Sequence, residues 1–440
     1  MTLRVALVSR EYPPHSGGGI GTYARNIACA LAAAGHTVHV VTQAFPGAEP
    51  SLHIDGPIHV HRVPMGDGSA GAALRGSINA GRAVARLARD LQIDVIEFPE
   101  YEAPATCYLL ARRLGALETM DRPTVVHFHS PTEVNLALNR EGTRDVPGGM
   151  GLLVALERSS VVAADHLCAP SRFMASWAHD QFALAEAPQV IPYAIGPLPP
   201  RSRPESAVRR LLYVGRLERR KGVDVLMQAW RAVGPQATDW ELRLVGSDTG
   251  TGPGGGSMRT HLESMLDDDV RARTHLVGAR QWWELHDEYA TATACTVPSR
   301  WENFPNTCIE AMMHGRPMLA SDNGGMREML DGSNGGMLFR AEDVGSCTQA
   351  LRRLVGMSPD ALHMMGMCGR ARIAAMCDPT AVAAARTSMY MQAIDNAHDS
   401  GSGSSSDRAL EIWRDLRRVS SGTSVGLNDP LGLEHVGAMS

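Results

Sequence analysis

An alternation of short aliphatic runs with helically spaced apolar stretches occurs twice along this chain and limits its architecture more than any other feature. "LRVALVS" (residues 3–9) is followed by "TYARNIACALAAAGH" (22–36), with apolar residues on one helical face, and then by "TVHVVTQ" (37–43). Further strand-like runs stand at 58–63, 93–98, 123–129 and 166–170, with helical stretches such as 79–92 and 104–114 between several of them. Strands that alternate with helices connect by crossovers, which makes the sheet parallel and covers both its faces. Proline and charge interrupt the pattern in "GPLPPRSRPES" (196–206), which reads as a linker. It then restarts, with strands at 210–215, 240–246, 273–278, 294–299 and 317–322 and helices near 222–233, 257–267, 281–292, 305–314 and 347–377. At 440 residues and 44% hydrophobic content the chain can bury two cores. The expected architecture is α/β, with two Rossmann-like, doubly wound parallel-sheet domains facing across a cleft. Their spans are 1–198 and 206–379, and a Gly/Ser linker and mobile tail are expected over 398–440.

Composition narrows the function. A net charge of −5 gives no broad basic surface, and no nucleic-acid motif is present, so no nucleic-acid partner is expected. The eight cysteines are scattered, without CxxC or zinc-ligand spacing, as suits free thiols in a reducing compartment. No apolar run approaches the roughly 20 residues of a membrane span, and a cytoplasmic protein is expected. Arg82, Arg86 and Arg89 form a stripe on one helix. It reads as a solvated face and leaves open a peripheral contact with anionic lipid at the inner face of the membrane.

Ligands of doubly wound sheets bind beyond the carboxyl ends of the strands. Several unusual residues fall there: the glycine cluster "SGGGIG" (16–21), Glu97 to Tyr101, His129, Gly215 with Arg216, Gly278, and Glu302. The glycine cluster suits either a phosphate, reached through close backbone N–H groups, or a flexible turn, and its spacing is not that of a dinucleotide fingerprint. "GRLERRKG" (215–222) brings Arg216 and Lys221 toward one volume, as a diphosphate clamp or a solvated basic turn. In "ENFPNTCIEAM" (302–312), Glu302 precedes a helix that contains Glu310, an arrangement suited to hydroxyl-rich ligands. Two acids along one loop and helix are poorly placed to flank a scissile bond from both sides, as a glycosidase pair must. Asp267–Asp269 is expected to end a helix as solvated charge rather than to bind metal.

These segments together resemble a retaining nucleotide-sugar glycosyltransferase of family 4, with the two-domain GT-B fold, over about residues 3–395. The marks are "GRLERRKG", the Glu-seven-Glu motif, "SDNGGMREMLDGSNGGML" (321–338) and "HLCAPSRFM" (166–174). The resemblance implies that Arg216 and Lys221 hold the donor diphosphate and Glu310 the ribose. Glu302 and the backbone of Asn303, Phe304 and Pro305 would hold the sugar. Backbone near Ala279 and Arg280 would read the base, usually uracil. Gly18 and Gly19 would close over the phosphates, and His129 would sit near the anomeric centre. It also implies that 380–397 returns to the first domain, and that no cofactor or metal is needed, since Arg216 and Lys221 supply the positive charge. Tyr193 and Ala194 depart from the Asn and Gly frequent in the family. The implied activity is hexose or N-acetylhexosamine transfer from a UDP-linked donor to a hydroxyl of a glycan, lipid-linked sugar or small metabolite. A hydrolysing UDP-sugar 2-epimerase and an inactive nucleotide-sugar-binding homologue are the alternatives. Acceptor choice is expected to lie in loops around 65–80, 99–104 and 131–150, with Arg140 and Arg144 available to an anionic group.

Overall fold

A computed structural model describes residues 1–14, 18–45, 49–65, 70–114, 122–139, 148–196 and 208–399. The glycine-cluster positions 16 and 17, Arg140, Arg144, most of the linker and the tail from 400 lie outside the described residues. In chain order the elements begin with β1 (Arg4–Val8), α1 (Gly19–Ala33), β2 (Thr37–Gln43), β3 (Ser51–Asp55), β4 (Ile58–Val63), α2 (Ala70–Asp90), β5 (Val95–Pro99) and α3 (Thr106–Arg113). Next come β6 (Thr124–His127), α4 (Thr132–Asn139), α5 (Gly148–Ala163), β7 (His166–Ala169), α6 (Arg172–Gln181) and β8 (Gln189–Val190). The second half holds β9 (Arg209–Val214), α7 (Val223–Val233), β10 (Trp240–Val245), α8 (Met258–Ser264), α9 (Asp268–Arg271), β11 (Thr274–Gly278), α10 (Trp282–Thr291) and β12 (Ala294–Val297). It closes with α11 (Asn306–Met313), β13 (Met318–Ser321), α12 (Gly325–Leu330), β14 (Gly336–Phe339), α13 (Val344–Val355), α14 (Pro359–Met376) and α15 (Pro379–Asp399).

The chain divides into two compact units. One draws on Met1–Ala137, Thr143–Gly196 and the stretch from Pro379; the other is built on Pro197–Asp378 with Leu138–Gly142. The first sheet runs β3-β4-β2-β1-β5-β6-β7-β8 and the second β11-β10-β9-β12-β13-β14. All pairings are parallel except β3 with β4.

The antiparallel β3 departs from the expected all-parallel sheet. It is a solvent-facing edge strand whose Leu52 and Ile54 are exposed, so it carries none of the buried-face pattern by which the other strands are recognised. The helix expected over 347–377 is two, because Ser358 accepts a hydrogen bond from the Ala361 N–H at 3.2 Å and Pro359 starts a new first turn. The stretch 257–267 likewise breaks, and Asp267 opens α9 as its N-cap, accepting from the Val270 N–H, instead of ending the preceding helix. Asp268 and Asp269 then sit in the first turn, where their charge suits the helix dipole.

Helix α15 is tied to the first sheet through a buried ion pair. Arg386, with no exposed surface, meets the Glu97 carboxylate at 2.6 Å, and the hydroxyls of Tyr23 and Tyr390 donate to the same group at 2.5 and 2.6 Å. The Arg386 guanidinium lies 5.5 Å from the Tyr23 ring centroid. Glu97 sits within β5 and is consumed by this network, so it lines no ligand site. Among the described residues no helix is long and apolar enough to cross a membrane, and Arg82, Arg86 and Arg89 are exposed on α2.

Candidate functional site

In the second sheet the chain leaves β9 toward β10 and β11, then returns to place β12 on the other side of β9. Parallel sheets open a crevice at such a switch point, beyond the carboxyl ends of the two strands. The loops after β9 and β12 meet there. Gly222, at φ +64°, allows this, since a Cβ on it would strike the Pro298 carbonyl, and the Arg300 N–H donates to the Arg220 carbonyl at 2.8 Å.

Charged groups from both loops converge. Lys221 Nζ donates to Glu302 Oε1, as does the Ser299 hydroxyl at 3.1 Å, and Arg220 Nη1 lies 3.4 Å from the same oxygen. Arg220 Nη2 also donates to Glu218 at 2.9 Å, and Arg216 Nη2 lies 3.3 Å from the other Glu218 oxygen. Glu218, Arg220 and Glu302 are buried, whereas the Arg216 side chain is 59% exposed. Burial works against the Glu302 charge, but Lys221 and Arg220 outweigh it and hold the carboxyl below its ordinary range. Burial, with Arg220 nearby, pulls Lys221 below the usual lysine range against the attraction of Glu302. Three cations thus face two carboxylates, with Arg216 outermost.

The loop after β12 is held from its other side by the "SDNGG" turn. Gly324, at φ +100°, bridges to Glu302, and a Cβ there would strike the Glu302 carbonyl. The side chains of Asn303, Phe304 and Pro305 are buried, which leaves the backbone as what this loop presents outward. Glu310 lies about one turn into α11, half-buried, and accepts the Tyr289 hydroxyl at 2.8 Å. Burial pushes its carboxyl up to about 7, with the Tyr289 hydrogen bond opposing. Ala279 and Arg280 are exposed at the end of β11, the edge strand, with Arg280 Nε 3.7 Å from Glu288. A polyanion reaching Arg216 and Lys221 and a polyol reaching Glu302 or Glu310 suit this set of groups.

Sequence reasoning reached Arg216, Lys221, Glu302 and Glu310 but missed Arg220, Glu218, Ser299 and Tyr289. The run "ERRK" does not reveal which arginine is buried; that follows from the short 3-10 turn Arg219–Lys221 and from Gly222.

In the first unit His129 is buried. Its Nδ1 lies 3.2 Å from the Tyr193 hydroxyl, its Nε2 3.2 Å from His127 Nδ1, and its N–H donates to Glu100 at 2.7 Å. Burial, then the nearby Arg386, pushes its imidazole down to about 3, so it is neutral at pH 7. The unexpected Tyr193 is therefore a partner of His129. Gly18 is the N-cap of α1 and Gly19 its first residue, and a Cβ on Gly18 would strike the Glu11 carboxylate. The first sheet also has a cavity of roughly 170 Å³, lined by Arg10, Glu11, Met65, Ser77, Tyr101 and Glu102 among others.

Residues 18–194 match the family described as "Glycosyl transferase 4-like domain", and residues 208–356 match "Glycosyl transferases group 1". A glycogen synthase of Mycobacterium tuberculosis is 28% identical over 414 residues, covering 89% of this chain and 95% of that protein. A D-inositol 3-phosphate glycosyltransferase of Catenulispora acidiphila is 27% identical over 364 residues, covering 77% of this chain and 82% of the relative. A sucrose-phosphate synthase from Thermosynechococcus elongatus superposes with a TM-score of 0.70 at 22% identity, over 89% of this chain and 98% of that one.

Proposed function

Because this chain is a family 4 type glycosyltransferase of the GT-B fold, we propose that it moves a hexose or N-acetylhexosamine from a UDP-linked donor to an acceptor hydroxyl with net retention. One observation carries the reading: a lysine and two arginines gathered with Glu218 and Glu302 at the β9/β12 switch point, ahead of the helix that carries Glu310. Arg216 and Lys221 would neutralise the charge that builds on the departing diphosphate, and Arg220 would fix Glu302. Glu302, ionised, would accept hydrogen bonds from donor-sugar hydroxyls, with Asn303, Phe304 and Pro305 adding backbone contacts, and Glu310 would accept from the ribose. Ala279 and Arg280 would meet the base.

In the proposed step the bond from the anomeric carbon to the phosphate oxygen breaks, and its electron pair goes to that oxygen. The acceptor oxygen attacks from the same face and gives its proton to the departing phosphate. Neutral His129 would lie near the anomeric centre as a hydrogen-bonding group. Gly18 and Gly19 would offer backbone N–H groups to the phosphates in competition with Glu11. Arg216 and Lys221 would supply the positive charge the phosphates need, so no metal is assigned. The protein is incubated with UDP-glucose, UDP-GlcNAc or UDP-galactose and a panel of acceptors; UDP release is followed, and the product's anomeric configuration is read by proton NMR. Transfer with retention supports the reading. An inverted product, or release of UDP with a 2-epimerised free sugar in the absence of acceptor, would sink it.

A further inference from the structure

The first sheet has its own switch point, and the 170 Å³ cavity lies on it. β1 and β5 are neighbours, although β2, β3 and β4 intervene in sequence. Arg10 and Glu11 follow β1, Tyr101 and Glu102 follow β5, and Met65 follows β4, so the cavity collects the carboxyl ends of three strands. An engineered cavity of about 150 Å³ takes benzene. This one therefore has room for a six-membered ring.

The wall that carries Glu102 is strained. Glu102 and Ala103 both adopt left-handed backbone, at φ +62° and +52°, which non-glycine residues avoid. Buried groups hold them there. The Glu102 N–H donates to Glu157 Oε1 at 2.9 Å, and Glu157 also accepts the Thr132 N–H at 2.8 Å and the Thr132 hydroxyl at 2.5 Å. The Ala103 N–H donates to the Glu100 carbonyl at 3.0 Å. This scaffold aims the Glu102 side chain at Arg10, whose Nη1 it meets at 2.5 Å. Ser77, by contrast, is occupied by the framework, donating to the Pro104 carbonyl at 3.3 Å and accepting the Cys107 N–H at 3.0 Å.

The charge of the cavity decides its ligand. Among the described lining residues Arg10 is the one cation, and it is already paired with Glu102, so a phosphate entering would have to displace that carboxylate. A neutral polyol meets an acceptor for its hydroxyl protons in Glu102 and a fork of donors in Arg10. Resting on the transfer reading above, we propose that this cavity is the acceptor site and that it takes an uncharged polyol ring, with Glu102 setting the specificity, in preference to a phosphorylated one.

The test uses the full-length protein and matched acceptor pairs: glucose with glucose 6-phosphate, and myo-inositol with inositol 3-phosphate. The expected result is that UDP release is accelerated by an uncharged member, with kcat/KM at least tenfold above its phosphorylated counterpart. Glu102→Gln should raise the acceptor KM about tenfold while the donor KM moves less than twofold; a purely structural role would shift both and lower the melting temperature. As a second variant, Met65→Trp fills the cavity and should also raise the acceptor KM. Preference for the phosphorylated members, no acceleration by any uncharged polyol, or an unchanged acceptor KM in both variants overturns the assignment. If the protein neither binds UDP nor consumes any donor, the transfer reading itself falls; if it transfers only to phosphorylated acceptors, only the cavity assignment falls.

Discussion

Replacing Lys221 with alanine tests the donor site most directly. At about 4 Å and an effective dielectric near 20, a unit charge pair is worth about 4 kcal/mol. Lys221 shares its charge with Glu302, so part of that interaction is already committed in the free protein. Loss of one such donor to a developing anion typically costs about 2.7–4 kcal/mol, a factor of about 10² to 10³ in rate. The Glu302 carboxylate would not be orphaned, since Arg220 remains at 3.4 Å and Ser299 at 3.1 Å. Stability should therefore fall by no more than about 1 kcal/mol, the net worth of a typical hydrogen bond. Initial rates of UDP release at saturating donor, with thermal unfolding as the control, separate the two effects. Lys221→Arg, which keeps the charge, should recover part of the rate. A loss of activity below tenfold in a well-folded Lys221→Ala protein would refute the reasoning, as would a collapse of the melting temperature that by itself explains the loss.

Three further outcomes are expected. Glu310 has its pKa raised to about 7 in the folded protein from an ordinary 4.5, so its stabilising contribution is complete below about 4.5 and fades as pH rises through 7. The carboxylate that would bind ribose forms over the same range; donor KM should fall between pH 6 and 8, and Glu310→Gln should flatten that dependence. Arg386→Ala leaves the Glu97 charge buried and should cost about 3–5 kcal/mol in chemical denaturation, whereas Glu97→Gln with Arg386→Met should recover much of it; equal losses in the single and double variants would contradict the ion-pair account. Incubation with EDTA should leave transfer within twofold, and a loss restored by added Mn²⁺ or Mg²⁺ would overturn the assignment of phosphate neutralisation to Arg216 and Lys221.

What could be read from the sequence, and what could not, follows from how far apart the causes lie. Lys221 and Glu302 were legible because each stands a few residues beyond an aliphatic strand, and the rule that ligands bind at carboxyl ends needs only that local reading. Arg220 was not, because its burial comes from Gly222 closing on Pro298, more than seventy residues away in the chain. β3 was silent since both its apolar side chains face solvent. The break at Ser358 and Pro359 was written in the sequence as a cap and a first-turn proline, but helical spacing continuing on both sides concealed it. Tyr193 looked like a departure from the family until its hydroxyl stood beside His129, a pairing across 64 residues that no local pattern encodes. Glu97 shows the opposite error. The carboxyl-end rule groups it with the residues after β5, yet it lies inside the strand, where the side chain belongs to the interior, and Arg386 claims it from the far end of the chain. The distinction between within a strand and just beyond it thus decides function in both sheets. Glu302 and Glu102 each follow a strand that flanks a switch point, each sits in a loop fixed by buried partners, and each keeps a carboxylate beside a cation. If one duplicated principle of placement built both positions, the first should choose the acceptor as the second holds the donor, and variants at the two sites should separate cleanly in acceptor KM and donor KM.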